Sequence, residues 1–226
     1  MISAAIQTLG GVYYKVSTPK GIVHVWRPKD YDGGDVVAYL HGYRTNNDAA
    51  MTDHKLVQQF AAAGTKAWYM IPGAPSSNEQ GVVWKSLDEL LAVVGSDVGK
   101  SFTSVHAVAH SGGYRTVLDW LKSQHLHRVT LLDALYAGTT TFASWAAQAG
   151  HKLVTVALGG DTLKNSLSIA GKKGVTFVRE ATTHMGLVES GKYLATYIAM
   201  GASSLGNPAL LALLGVLGLG VYFVLR

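Results

Sequence analysis

Short apolar runs alternate along the chain with longer stretches in which apolar residues recur at helical spacing. Residues 12–16 and 22–26 flank Pro19-Lys20-Gly21, a pattern typical of a β-hairpin. Further strands are predicted at Val36–Leu40, Lys66–Ile71, Ser104–Ala109, Arg128–Leu132, Leu153–Leu158 and Val175–Arg179. The pattern predicts an α/β fold, with a mostly parallel central sheet covered by helices on both faces.

The helical stretches lie between these strands, and Gly64 is a natural C-cap for the first of them. They are predicted at 48–63, 87–94, 114–124, 142–149, 163–170 and 188–200. No internal repeat or low-complexity segment divides this part of the chain. One domain is therefore predicted over residues 1–204, followed by an apolar C-terminal helix at 205–226.

Residues 208–225 are uncharged, and as a helix these 18 residues would reach about 27 Å, close to a bilayer core of about 30 Å. One interpretation is a C-terminal anchor that makes the protein membrane-associated. The alternative is an apolar helix buried in a homo-oligomer or larger assembly of a soluble subunit. The N-terminus lacks a basic start followed by a long apolar core, so no signal peptide is predicted.

Composition narrows the chemistry further. Hydrophobic residues make up 48% of the chain and charged residues 15%, which indicates a large core and a thinly charged surface. The net charge is +5, but Lys and Arg are scattered, so no nucleic-acid partner is expected. The absence of cysteine excludes disulfides and a catalytic thiol. His125 and His127 lack a third ligand nearby, and no phosphate loop or dinucleotide fingerprint is present, so neither a metal nor a cofactor is predicted.

The strongest chemical signal is Ala109-His110-Ser111-Gly112-Gly113, which directly follows an apolar strand and precedes a helix. A strand that turns so sharply needs small residues two positions before and after the serine, and Ala109 and Gly113 supply them. The segment resembles the nucleophile elbow of α/β-hydrolases, whose usual pattern is Gly-x-Ser-x-Gly, with alanine replacing the first glycine. The alternative is a glycine-rich turn with an incidental serine.

The resemblance implies an α/β-hydrolase fold with Ser111 as nucleophile and His184, after the last predicted strand, as its base. His110 is expected to face away from substrate. For the carboxylate that orients the base, two strand ends offer candidates, Asp133 and Asp161, and the resemblance favours Asp133. Asp161 would then be a helix N-cap.

The same resemblance places an oxyanion hole at the end of an earlier strand, where His41-Gly42 precedes Tyr43. The backbone N–H groups of Tyr43 and Gly112 would bind the negative oxygen of a tetrahedral intermediate.

Only about twenty residues separate Asp133 from the next strand, which leaves no room for a cap domain. The site is therefore expected to be open, with Tyr43, Arg44, Tyr136 and Trp145 near its rim. The implied activity is hydrolysis of a carboxylic acyl-ester substrate, as in esterases and lipases, through a covalent acyl-enzyme. The rival hypothesis is a structural or assembly protein that retains this fold and is embedded through its C-terminal helix.

Overall fold

The computed structural model describes residues 9–202, and within them eight strands form one sheet in the order β1-β2-β4-β3-β5-β6-β7-β8. The strands are β1 (Gly11–Thr18), β2 (Gly21–Pro28), β3 (Asp35–Leu40), β4 (Trp68–Ile71), β5 (Ser104–His110), β6 (Leu126–Leu132), β7 (Lys152–Ala157) and β8 (Val175–Arg179). The β1–β2 and β2–β4 pairs are antiparallel, and all the remaining pairs are parallel. The predicted hairpin and mostly parallel sheet are confirmed.

Helices join the parallel strands and cover both faces of the sheet. Those described are α1 (Asn47–Asp53), α2 (Leu56–Ala63), α3 (Leu87–Val98), α4 (Tyr114–Trp120), α5 (Thr139–Ala146), α6 (Gly160–Ile169), α7 (Gly186–Glu189) and α8 (Tyr193–Ala202). A single 3-10 turn, Ser111–Gly113, connects β5 to α4. Between β6 and β7 the chain forms only α5 and short connections, so this stretch contains no cap domain.

The two faces of the sheet can be followed along the central strand β5. Ala107 and Ala109 pack into one apolar cluster with residues of α3 and α4, including Leu90 and Trp120. Val108 points the other way, into a second cluster with residues of α2 and α8. This alternation with a period of two is what a strand buried on both faces requires.

Two of the predicted helices are each divided in the structure. The helix expected over 48–63 is broken between α1 and α2, where Lys55 adopts a left-handed φ of 49°. The break turns His54 inward, where it is buried against the Tyr39 hydroxyl. The helix expected over 188–200 is likewise divided into α7 and α8, with Gly191 at φ 80° between them. Apolar residues at helical spacing occur on both sides of each break, which is why the sequence predicts single helices.

The predicted boundary at 204/205 and the apolar helix at 205–226 lie outside the described residues. Of the helices within residues 9–202, none combines the length and the apolar character needed to cross a bilayer.

Candidate active site

Ser111 lies at the carboxyl end of β5, where the chain turns sharply into α4. Its φ of 50° is in the left-handed region, which costs a non-glycine residue about 1–3 kcal/mol. Gly113 approaches the end of β3 so closely that an added Cβ would lie 2.7 Å from the carbonyl oxygen of Leu40. Ala109 is fully buried on the other side of the turn. The strained turn therefore depends on the small residues that surround the serine.

The loop after β3 packs directly on this turn. A Cβ on Gly42 would lie 2.7 Å from the Cβ of Ser111, and a Cβ on Gly112 would overlap the ring of Tyr43. Tyr43 is itself held from α4, because Arg115 donates a hydrogen bond of 3.1 Å to its hydroxyl. The two residues predicted to form the oxyanion hole, Tyr43 and Gly112, are thus in van der Waals contact.

His184 follows β8 and is paired with the carboxylate of Asp133, which follows β6. The Nδ1 atom of His184 lies 2.7 Å from Oδ2 of Asp133. The other carboxylate oxygen accepts hydrogen bonds from the Thr162 hydroxyl and from the N–H of Leu158. Asp133 has a left-handed φ of 45°, a conformation that aspartate tolerates better than most residues.

Electrostatics at Asp133 favour the carboxylate. Burial alone would raise the pKa of this group, but the hydrogen bonds from His184 and Thr162 outweigh burial, and the pKa is lowered. An ionised carboxylate beside Nδ1 holds the imidazole proton on that atom and leaves Nε2 free to accept another proton.

Asp161, the other candidate, lies in the exposed first turn of α6. The helix N-cap is Gly159, so the expectation that Asp161 caps this helix is wrong. Gly159, in an extended conformation, is the N-cap, and Asp161 lies two residues later in the first turn. There its negative charge interacts favourably with the positive end of the helix dipole.

A cavity of about 550 Å³ opens beside these groups and is lined by Ser111, His184, Tyr43 and Arg44 among others. Tyr136 lies next to Ser111 and shares a hydrogen bond with it. Burial and the charge on Asp133 raise the pKa of the Tyr136 phenol, while the hydrogen bond with Ser111 lowers that pKa. Tyr136 is 44% exposed, which suits the predicted rim.

Trp145, also expected at the rim, is instead buried in the core. It lies on the face of α5 that packs against the sheet, in the apolar cluster that also contains Phe142. The short amphipathic helix places its large aromatic residues inside, where burial of each is most favourable.

The cavity is also lined by two histidines that the sequence analysis did not assign to the site. His110, expected to face away from substrate, lines the cavity and stacks on His184 with ring centroids 4.4 Å apart. His54 lines it as well, because the break between α1 and α2 turns it inward. No local signal assigns His54 to the site, since it falls within a stretch predicted as one helix. Across residues 9–202, no group of three or more His, Asp or Glu side chains is arranged to hold a metal ion.

Neither a comparison with protein-family models nor one with curated proteins gives a match. Solved structures do match. An S-formylglutathione hydrolase from Agrobacterium tumefaciens superposes with a TM-score of 0.63 at 12% identity, covering 88% of this chain and 97% of the other. MPT51 from Mycobacterium tuberculosis gives 0.59 at 12% identity, covering 85% and 99%. Naproxen esterase from Bacillus subtilis gives 0.53 at 14%, covering 88% and 95%. The chain has the α/β-hydrolase fold.

Proposed function

We propose that this protein is a serine hydrolase that cleaves a carboxylic ester, or a related acyl bond, through an acyl-enzyme. The observation that carries the proposal is the 2.7 Å contact between His184 Nδ1 and Asp133 Oδ2, on a cavity that Ser111 also lines. An ionised carboxylate, an oriented imidazole and a strained serine are the three groups that nucleophilic acyl transfer needs. The structural neighbours with hydrolase and esterase names lend support at the level of fold.

In the proposed reaction Ser111 Oγ attacks the acyl carbonyl carbon while His184 Nε2 takes the hydroxyl proton. Asp133 stabilises the resulting imidazolium through the Nδ1–H hydrogen bond. The N–H groups of Tyr43 and Gly112 bind the oxyanion, and each such donor typically contributes about 3 kcal/mol of barrier lowering. The tetrahedral intermediate collapses as the leaving oxygen receives the proton from His184. Water, activated by the same imidazole, then releases the acid and restores Ser111.

The substrate class follows from the shape of the site. The chain between Asp133 and β7 forms only α5, so nothing in that stretch encloses the substrate. The exposed side chains of Tyr136 and Met185 add apolar surface near the serine. We infer that the site accepts esters whose acyl or alcohol part projects into solvent. Rates with p-nitrophenyl esters of increasing acyl length should therefore change gradually, without an abrupt cut-off.

A fluorophosphonate probe tests the nucleophile, since it modifies only an activated serine. We expect rapid labelling of the full chain and none in Ser111→Ala. Failure to label folded wild-type protein would refute the proposal and favour a structural protein that retains the fold.

A matched pair of variants tests the carboxylate. Asp133→Asn removes the charge that orients His184 and should slow labelling by about a thousandfold or more. Asp161→Asn makes the same chemical change on the exposed turn of α6 and should leave the rate within about twofold. If the two variants slow labelling equally, Asp133 does not have the proposed role.

A further inference from the structure

The residue before the nucleophile contacts the base through two separate interactions. His110 ends β5, and its side chain is only 2% exposed. Its Nε2 lies 3.1 Å from the backbone carbonyl oxygen of His184. Its ring also stacks on the ring of His184, with centroids 4.4 Å apart and planes inclined by 38°. Because a carbonyl oxygen can only accept, Nε2 of His110 carries the proton and donates it.

We propose that His110 is a positioning residue that holds the loop and the imidazole of His184 in register with Ser111. This inference rests on the proposed function and extends it by one residue. His110 and Ser111 are adjacent in sequence, whereas His184 lies 74 residues from His110. One short segment therefore supplies the nucleophile and also fixes the main chain of the base. The Asp133 contact orients the ring of His184, and the His110 contact orients its backbone.

The surroundings of His110 keep its ring neutral. Burial lowers its pKa to about 3, and repulsion from His184 and His54 acts in the same direction, while the charge on Asp133 opposes it. The His54 ring stands edge-on at 6.1 Å and is held by the Tyr39 hydroxyl at 2.8 Å. A neutral ring stacked on His184 does not repel the imidazolium that forms when His184 takes the serine proton, and it keeps its donor throughout the reaction.

Two substitutions distinguish the contribution of the hydrogen bond donated by His110 from that of its ring stacking. His110→Gln retains an N–H donor at nearly the same reach but loses the aromatic face, and His110→Phe retains a flat ring but loses the donor. Both are measured by the saturation kinetics of fluorophosphonate labelling of the full chain. We expect His110→Phe to lower the maximal labelling rate by about 3- to 10-fold, the usual effect of losing one hydrogen bond. Its half-saturating probe concentration should stay unchanged, and His110→Gln should recover most of the rate.

A general loss of structure would lower the maximal labelling rate of both variants and would also change the half-saturating probe concentration. Equal rates in two folded variants, or a faster His110→Phe, would overturn the proposal. A measurement on the wild type covers the case in which neither variant folds. Two-bond nitrogen–proton correlation spectra of histidine-labelled protein report the tautomer of His110, and protonation at Nδ1 alone would also overturn the proposal. Absence of labelling in the wild type would instead refute the proposed function, while the tautomer would still be observable.

Discussion

Acidification from pH 7 to pH 5 is expected to destabilise this protein strongly. The cause is a set of buried histidines that fold as neutral groups. Burial lowers the pKa of His54 to about 4 and that of His106 and His110 to about 3, from an ordinary value of 6.5. When a folded-state pKa is depressed, the unfolded chain binds protons first. The associated stability is complete above pH 6.5 and is lost as the pH falls towards the folded-state value.

The magnitude follows from these values. A pH of 5 is about 1.5 units below the pKa of each histidine in the unfolded chain, so these side chains are protonated there. In the folded protein the same histidines remain largely neutral at pH 5. Each group then costs about 2 kcal/mol of stability, so His54, His106 and His110 together cost about 6 kcal/mol. Domains of this kind have a total stability of about 5–15 kcal/mol. The chain should therefore be much less stable at pH 5 than at pH 7.

Urea denaturation at pH 7, 6 and 5, followed by the fluorescence of the buried tryptophans, measures this loss. His106 provides the control because it lies away from the cavity, at the start of β5, bonded to the Thr130 hydroxyl at 2.9 Å. His106→Gln keeps a donor for Thr130 but cannot titrate, so the stability difference between pH 7 and pH 5 should shrink by about 2 kcal/mol. A wild-type difference below about 2 kcal/mol, or an unchanged difference in the variant, would refute the reasoning.

Two further substitutions and one control variant test the packing that supports the site. Gly113→Ala should destabilise the protein by about 1–3 kcal/mol in urea, because its Cβ would lie 2.7 Å from the Leu40 carbonyl oxygen. Gly73→Ala, with open space around it, should change stability by less than about 0.5 kcal/mol, and equal effects would contradict this account. Arg115→Lys should slow fluorophosphonate labelling by about tenfold, because lysine cannot reproduce the forked contacts that hold Tyr43 and the neighbouring loop carbonyls. An unchanged rate would show that Tyr43 needs no such support.

Local chemistry made much of the architecture predictable. Strands alternate apolar side chains with a period of two or form fully apolar runs, and this pattern predicts all eight described strands near their observed bounds, including the two of the hairpin. The turn at Ser111 was also predictable, because its geometry depends on small residues only two positions away. The helix break at Lys55 was not predictable, because its left-handed φ occurs at a lysine, a residue that favours helices.

Contacts between residues far apart in the sequence decide which side chains come together in the candidate site. Asp133 and Asp161 both follow strands of the sheet, and in the sequence only a resemblance to α/β-hydrolases favours Asp133. The tertiary structure brings Asp133 to His184, 51 residues away, and leaves Asp161 on an exposed turn. It also buries Trp145 and turns His110 towards His184. Side-chain pattern determines which residues form an element and which face they occupy, because those depend on neighbours along the chain. Contacts between separate elements depend on strand order, sheet twist and loop path, which only the assembled fold decides.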